Sequence, residues 1–137
     1  ASSANDTRIY QAGVSADCPN RWFWMASAGL DLPVNDRLGG DRTRFSGAIG
    51  QTLLVEMGEV TVSAGLSREI DQDTYSEFLD YGSPRTITTF ELGATWQIPM
   101  TQNLLLSTEL GVIRQSSNIS LFDATASEIS VNMIYIP

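Results

Sequence analysis

The chain has 137 residues, 42% of them hydrophobic, and carries eight Arg, no Lys and no His against sixteen acids, a formal charge of −8. That balance argues against nucleic acid or an anionic surface as a main partner, and no run of about 18 apolar residues exists to form a membrane-spanning helix. Without His or Lys there is no Ser-His, Cys-His or Schiff-base chemistry, and the single Cys18 can neither close an internal disulfide nor anchor a thiolate metal site.

Apolar residues recur at period 2 rather than 3.6, so the elements read as strands. Residues 1–7 read as irregular. From Arg8 to Ala16, Tyr10, Ala12, Val14 and Ala16 share a face, and Asp17–Asn20 forms a short turn. The next segment sets Trp22, Trp24, Ala26, Ala28, Leu30 and Leu32 opposite Arg21, Ser27, Gly29 and Asp31, with Phe23 and Met25 as exceptions. After a long link over Pro33–Thr43, the segment Arg44–Glu56 groups Phe45, Ile49, Leu53 and Val55. There Gln51 intrudes on the apolar face and Leu54 faces the wrong way, which a bulge or a register error would explain.

Past a tight turn at Met57–Glu59, Val60, Val62, Ala64 and Leu66 oppose Thr61, Ser63, Gly65 and Ser67. A second long link, Arg68–Thr86, leads to Phe90, Leu92, Ala94, Trp96 and Ile98 against Glu91, Gly93, Thr95 and Gln97. The turn Pro99–Asn103 precedes Leu104, Leu106, Leu110 and Val112, opposite Ser107, Glu109 and Gly111. A third long link, Gln115–Ala124, precedes Ile129, Val131, Met133 and Tyr135 against Glu128, Ser130 and Asn132. Seven strands result, in one domain over 1–137, with short and long connections alternating as in an up-and-down membrane barrel.

Three features point the apolar face toward lipid. Several segments run about 10 to 12 residues, near the ~9–11 that a tilted strand needs to cross a bilayer and beyond the ~5–6 of ordinary strands. The aromatics of that face sit at strand ends: Trp22, Trp24, Trp96 and Tyr135 near short turns or the C-terminus, Tyr10, Phe45 and Phe90 near the long links. Two aromatic belts around an aliphatic band is the membrane-interface pattern. The other face carries Gly, Ser, Thr and Gln with a few charges, Glu91, Glu109, Glu128, Arg21 and Arg44, which suits a crowded lumen better than a solvated sheet.

The stretch Phe90-Glu-Leu-Gly-Ala-Thr-Trp-Gln-Ile-Pro99 and, after Met100, Thr101-Gln-Asn-Leu-Leu-Leu-Ser-Thr-Glu-Leu-Gly111 resembles the strand–turn–strand hairpins of bacterial outer-membrane β-barrels and porins. The likeness is to a class pattern, not to one family. It implies an all-β, antiparallel, up-and-down transmembrane barrel or the C-terminal part of one, in a Gram-negative outer membrane. Its role would be passive: solute passage, anchoring or support of a larger outer-membrane assembly. The partner is the lipid bilayer, with other chains or an upstream part of the same parent completing the barrel. Such barrels usually end in an aromatic residue, whereas this chain ends Tyr135-Ile136-Pro137. The chain also has no leader segment and reads as a processed or excised piece. Seven strands would leave the two ends on opposite sides of the membrane, where even counts are usual. The rival reading is a soluble antiparallel β-sandwich or barrel that binds a partner through its acidic loops.

No residue pattern supports catalysis, and no cofactor or metal is expected. Glu91 and Glu109 face the same way on adjacent strands and could lie close, as a lumen charge, an ion-pair set with Arg21, Arg44 or Arg114, or, least in keeping, a glycosidase pair. Asp71-Gln-Asp73-Thr-Tyr75-Ser-Glu77-Phe-Leu-Asp80 has calcium-loop acids without the required spacing and reads as a solvated acidic loop. Asn5-Asp-Thr7 and Asn118-Ile-Ser120 match the glycosylation sequon, Gly39-Gly40 is an isolated pair, and Cys18 beside Pro19 reads as a turn residue.

Overall fold

A computed structural model describes residues 7–33, 39–74, 78 and 84–137. They form one antiparallel sheet whose seven strands lie side by side in chain order. The strands are β1 (Thr7–Cys18), β2 (Trp22–Pro33), β3 (Arg42–Val55), β4 (Gly58–Thr74), β5 (Pro84–Pro99), β6 (Leu104–Ser117) and β7 (Ala124–Tyr135). The sheet is open: β1 pairs only with β2, and β7 only with β6. The seven-strand antiparallel meander is therefore as expected, but it does not close into a barrel on its own.

Turn chemistry explains the tight side of the meander. β1 and β2 are joined by a 3-10 turn over Pro19–Arg21, in which Asn20 (φ 62°) and Arg21 (φ 59°) both take the left-handed hand. That hand matches the right-handed twist of the flanking strands. The turn thus starts two residues and ends one residue later than Asp17–Asn20, and Asp17 and Cys18 belong to β1. Between β3 and β4, Val55 opposes Gly58 across Glu56 and Met57, with Gly58 at φ +100°. A Cβ on Gly58 would collide with the Gln97 carbonyl oxygen, so glycine is demanded twice there.

The strands run further than alternation alone indicated, chiefly at the long-link end. β4 continues through Glu69, Asp71 and Asp73 to Thr74, residues expected in a loop. Its extension is held by Gln72 and Asp73 amides donating to the carbonyls of Asp41 (2.8 Å) and Gly39 (2.9 Å). β5 begins at Pro84, and the Asn118 side chain acts as a substitute strand partner there. Its Nδ2 donates to the Pro84 carbonyl and its Oδ1 accepts from the Thr86 amide, each at 2.8 Å. No bulge interrupts β3, which pairs in unbroken register with both neighbours; the one shift falls instead between Ile70 and Thr74 on β4. Gln51 stays on the apolar face because its amide donates to the Asn20 carbonyl in the adjacent turn (3.2 Å).

The ladder carries both faces across the sheet intact. On the apolar side one row reads Trp24, Ile49, Ala64, Leu92 and Val112 from β2 to β6; on the polar side one reads Phe23, Gly50, Ser63, Gly93, Gly111 and Glu128 from β2 to β7. Phe23, the exception in its strand, lies over Gly50, where any Cβ would strike its ring. An aromatic ring covering a cross-strand glycine restores packing the glycine cannot supply.

Candidate functional site: an uncovered apolar face and a polar face with an ionic cluster

Burial is inverted relative to a soluble sheet. Among the described residues, every buried strand position, Asp31, Gly50, Asp71, Arg85 and Ser107, lies on the polar face. Among the described residues the sole buried apolar side chain is Ile119, in the β6–β7 link. On the apolar face large side chains stand open, from Tyr10 and Val14 on β1, through Phe45, Ile49 and Leu92, to Ile129 (74% exposed) and Val131 on β7. On the polar face the Ser27 and Ser46 hydroxyls bond to each other across strands β2 and β3.

All seven aromatics expected at a membrane interface lie on the apolar face and are exposed, between 40% (Trp24) and 68% (Tyr135). They fall into two stepped rows. Along the long-link side, Tyr10 on β1 shares its row with Leu30 and Thr43; Phe45 lies two residues nearer the short turns. Phe45 in turn shares its row with Arg68 and Thr88, and Phe90 lies two residues further on. Along the short-turn side, Trp22 is level with Gln51, Val62 and Ala94, and Trp96 is two residues beyond. Trp96 is level with Thr108 and Val131, and Tyr135 is four beyond. Both rows step in the same sense across the sheet. The Trp96 indole also fixes the β3–β4 turn, donating to the Met57 carbonyl at 2.9 Å.

At the long-link end of the polar face five charged side chains converge from three strands. Asp71, 1% exposed at its side chain, accepts from Arg42 Nε at 2.8 Å and from Arg85 Nε at 3.0 Å. Glu69 takes Arg42 Nη1 at 3.2 Å and Arg44 Nη2 at 2.9 Å. Arg85 is itself 7% exposed at its side chain, with Glu69 at 3.8 Å and the Phe122 ring 4.6 Å from its Cζ. Burying such charges is tolerable only because each is paired and hydrogen-bonded. Gly39 seats its backbone against the Asp71 carboxylate, a fit that a Cβ would destroy. Of this cluster sequence reasoning placed only Arg44 on the polar face, and read Asp71 as part of a solvated acidic loop. The available signal was the two-residue spacing of Arg42 with Arg44 and of Glu69 with Asp71, opposite charges on adjacent strands.

The other polar-face charges are placed differently from expectation. Arg21 is in the turn rather than on the strand, and pairs with Glu59 of the next hairpin at 3.2 Å, both about half exposed. Glu91 and Glu109 do share a face but are not adjacent. Glu91 opposes Ile113 and Glu109 opposes Thr95, an offset of four residues, or about 13 Å along the strand. The near neighbour of Glu109 is Glu128, diagonal to it through Ser130, and both line a polar hollow with Thr61, Ser63 and Thr95. Glu91, Glu109 and Glu128 make no ion pair among the described residues. Arg114 lies on the opposite, apolar face, level with Phe90.

The remaining motifs resolve simply. Asp71 of the acidic run is committed to two guanidinium groups and Asp73 is in β4; Tyr75, Glu77 and Asp80 lie outside the described residues. Asn118, in the second sequon, has its amide nitrogen bonded to Pro84; Asn5 of the first lies outside the described residues. Gly39 and Gly40 are the left-handed pair beside Asp71 and Asp73. Cys18 is a partly buried free thiol at the end of β1, opposite Trp22. No protein-family model, no curated protein and no solved structure matches this chain.

Proposed function

We propose that these residues form part of the wall of a transmembrane antiparallel β-barrel in a bacterial outer membrane, with a passive role in solute passage, anchoring or support of a larger assembly. One observation carries the reading: among the described residues most of the large uncovered apolar side chains stand on one face, against five (Ile9, Met25, Leu54, Ile113 and Ile134) on the polar face, which holds every buried strand position. About twenty such side chains stand at least two-fifths exposed on the apolar face. At roughly 1 kcal/mol each for the half still open to water, their burial amounts to about 20 kcal/mol. That exceeds the ~5–15 kcal/mol of net stability typical of a domain. Hydrocarbon is the cover that asks for no second protein layer.

The stepped aromatic rows support the same reading quantitatively. From Tyr10 to Phe90 the row advances four residues over four strand-to-strand steps. One residue of ~3.3 Å rise per ~4.8 Å strand spacing corresponds to a tilt of about 35°, at the edge of the ~35–45° that closed barrels adopt. From Trp22 to Tyr135 it advances six residues over five steps, the sum of two and four, or about 40° by the same arithmetic. The apolar row of β2 from Trp22 to Leu32 covers ten residue steps, about 33 Å along the strand and about 26 Å after tilting, against an apolar band of ~25 Å. Both aromatic rows would then sit level at the two membrane surfaces.

The test is fractionation of producing cells. The protein is expected in the outer membrane, resistant to carbonate extraction, released by detergent, and faster on a denaturing gel unheated than boiled. Monomeric behaviour in detergent-free buffer would overturn the proposal in favour of a soluble β module.

A further inference from the structure

The two free edges of the sheet define what must lie between them. In a meander of seven antiparallel strands the first and last run the same way. Direct pairing of β7 with β1, within one chain or between copies rotated about a common axis, would therefore make a parallel seam in an otherwise antiparallel wall, with slightly weaker pairing per residue. The charges disfavour that seam independently. Glu109 and Glu128 stand on the polar face on the two strands nearest the β7 edge, with no ion-pair partner among the described residues. The polar face of β1 brings Ile9, Gln11, Gly13, Ser15 and Asp17, another acid and no base. A second copy brings that same β1. Enclosing two carboxylates against a strand that brings no cation is the arrangement that charge burial penalises most.

Resting on the barrel reading above, we infer that an odd number of strands from polypeptide outside these 137 residues fills the gap, antiparallel to both edges. The strand that pairs with β7 presents at least one basic side chain to Glu109 and Glu128 on its inward face and apolar side chains outward. The partner is thus a further membrane strand of this stated chemistry, not another copy of this sheet. Its pairing answers both the unsatisfied backbone groups of β7 and the two unpaired carboxylates.

Crosslinking in membranes of cells producing the full-length protein tests this, on a Cys18→Ser background. Strands sit ~4.8 Å apart, so an intervening strand holds β1 and β7 about 10 Å apart. A disulfide needs Cα atoms within about 7 Å. The control pair Leu110→Cys with Ile129→Cys, directly opposed on β6 and β7, is expected to oxidise fully. Pairs scanning Val14→Cys and neighbouring β1 positions against Val131→Cys are expected to give no disulfide at any register. A photo-crosslinker at Ile129 is expected to capture a segment outside these 137 residues that contains Arg or Lys. Capture of β1, from the same or a second copy, or any β1–β7 disulfide, would overturn the inference. So would a captured strand without a basic residue. Failure of the barrel reading itself shows separately, as Cys at Ile129 reacting freely with a water-soluble maleimide in protein that stays in the soluble fraction.

Discussion

Replacing Asp71 by Asn is the sharpest probe of the polar face. The change keeps the shape of the side chain but removes its charge and turns an amide donor toward two guanidinium groups. Asp71 accepts bonds from Arg42 at 2.8 Å and from Arg85 at 3.0 Å and 3.5 Å. Arg42 keeps Glu69 at 3.2 Å, while Arg85, 7% exposed at its side chain, loses its bonds to Asp71 and keeps Glu69 at 3.8 Å and the Phe122 ring at 4.6 Å. Breaking a buried ion pair by removing one partner costs about 3–5 kcal/mol, and the contacts that Arg85 keeps place Asp71→Asn near the lower end. With a urea slope of ~2 kcal/mol/M, the unfolding midpoint in detergent, followed by tryptophan fluorescence, is expected to fall by about 1.5 M. Adding Arg85→Gln to Asp71→Asn removes the charge that Asp71 had balanced, so the double variant is expected to lose less than the sum of the singles. Midpoints for Asp71→Asn within about 0.3 M of the parent would refute the account of the cluster as a buried, mutually dependent ion set.

Other substitutions discriminate in parallel. Arg21→Ala breaks an ion pair that is about half exposed on both sides and is expected to lower stability by under ~1 kcal/mol in the same titration. Ala64→Arg, in the middle of the apolar face, is expected to destabilise the membrane-inserted protein by about 2–4 kcal/mol. By contrast Thr61→Arg, at the short-turn end of the polar face of the same strand, should fold with a far smaller loss; equal losses would contradict the assignment of faces. Gly58→Ala sets a Cβ against the Gln97 carbonyl at φ +100° and is expected to cost more than ~1 kcal/mol. A neutral thermal or urea midpoint there would show that the turn relaxes.

How far the sequence could be read depended on whether each signal was local. The apolar row of every strand follows from period-2 patterning within a few residues, and the ladder brings those rows together as one face. What escaped notice was set across strands. Glu69, Asp71 and Asp73 look like loop acids in isolation and become strand residues because Arg42 and Arg44 lie opposite on β3 and Arg85 comes from β5. Phe23 breaks the alternation of β2 for a reason found on β3, the bare backbone of Gly50. Gln51 keeps its phase because its hydrogen-bond partner is in the β1–β2 turn, so an intruding polar residue did not signal a bulge. The offset between Glu91 and Glu109 depends on hairpin register, which their shared facing could not reveal.

The most direct test of the inverted sheet is a nitroxide scan along β4 in reconstituted membranes, from Thr61 to Leu66, on the Cys18→Ser background. Labels at Val62, Ala64 and Leu66 are expected to collide freely with dissolved oxygen and to be shielded from a water-soluble nickel chelate, as hydrocarbon-facing sites are. Labels at Thr61, Ser63 and Gly65 should show the opposite phase. Immobilised labels at Val62, Ala64 and Leu66, shielded from both reagents in detergent-free buffer, would mean that this face packs inside a water-soluble protein, and the account would fail.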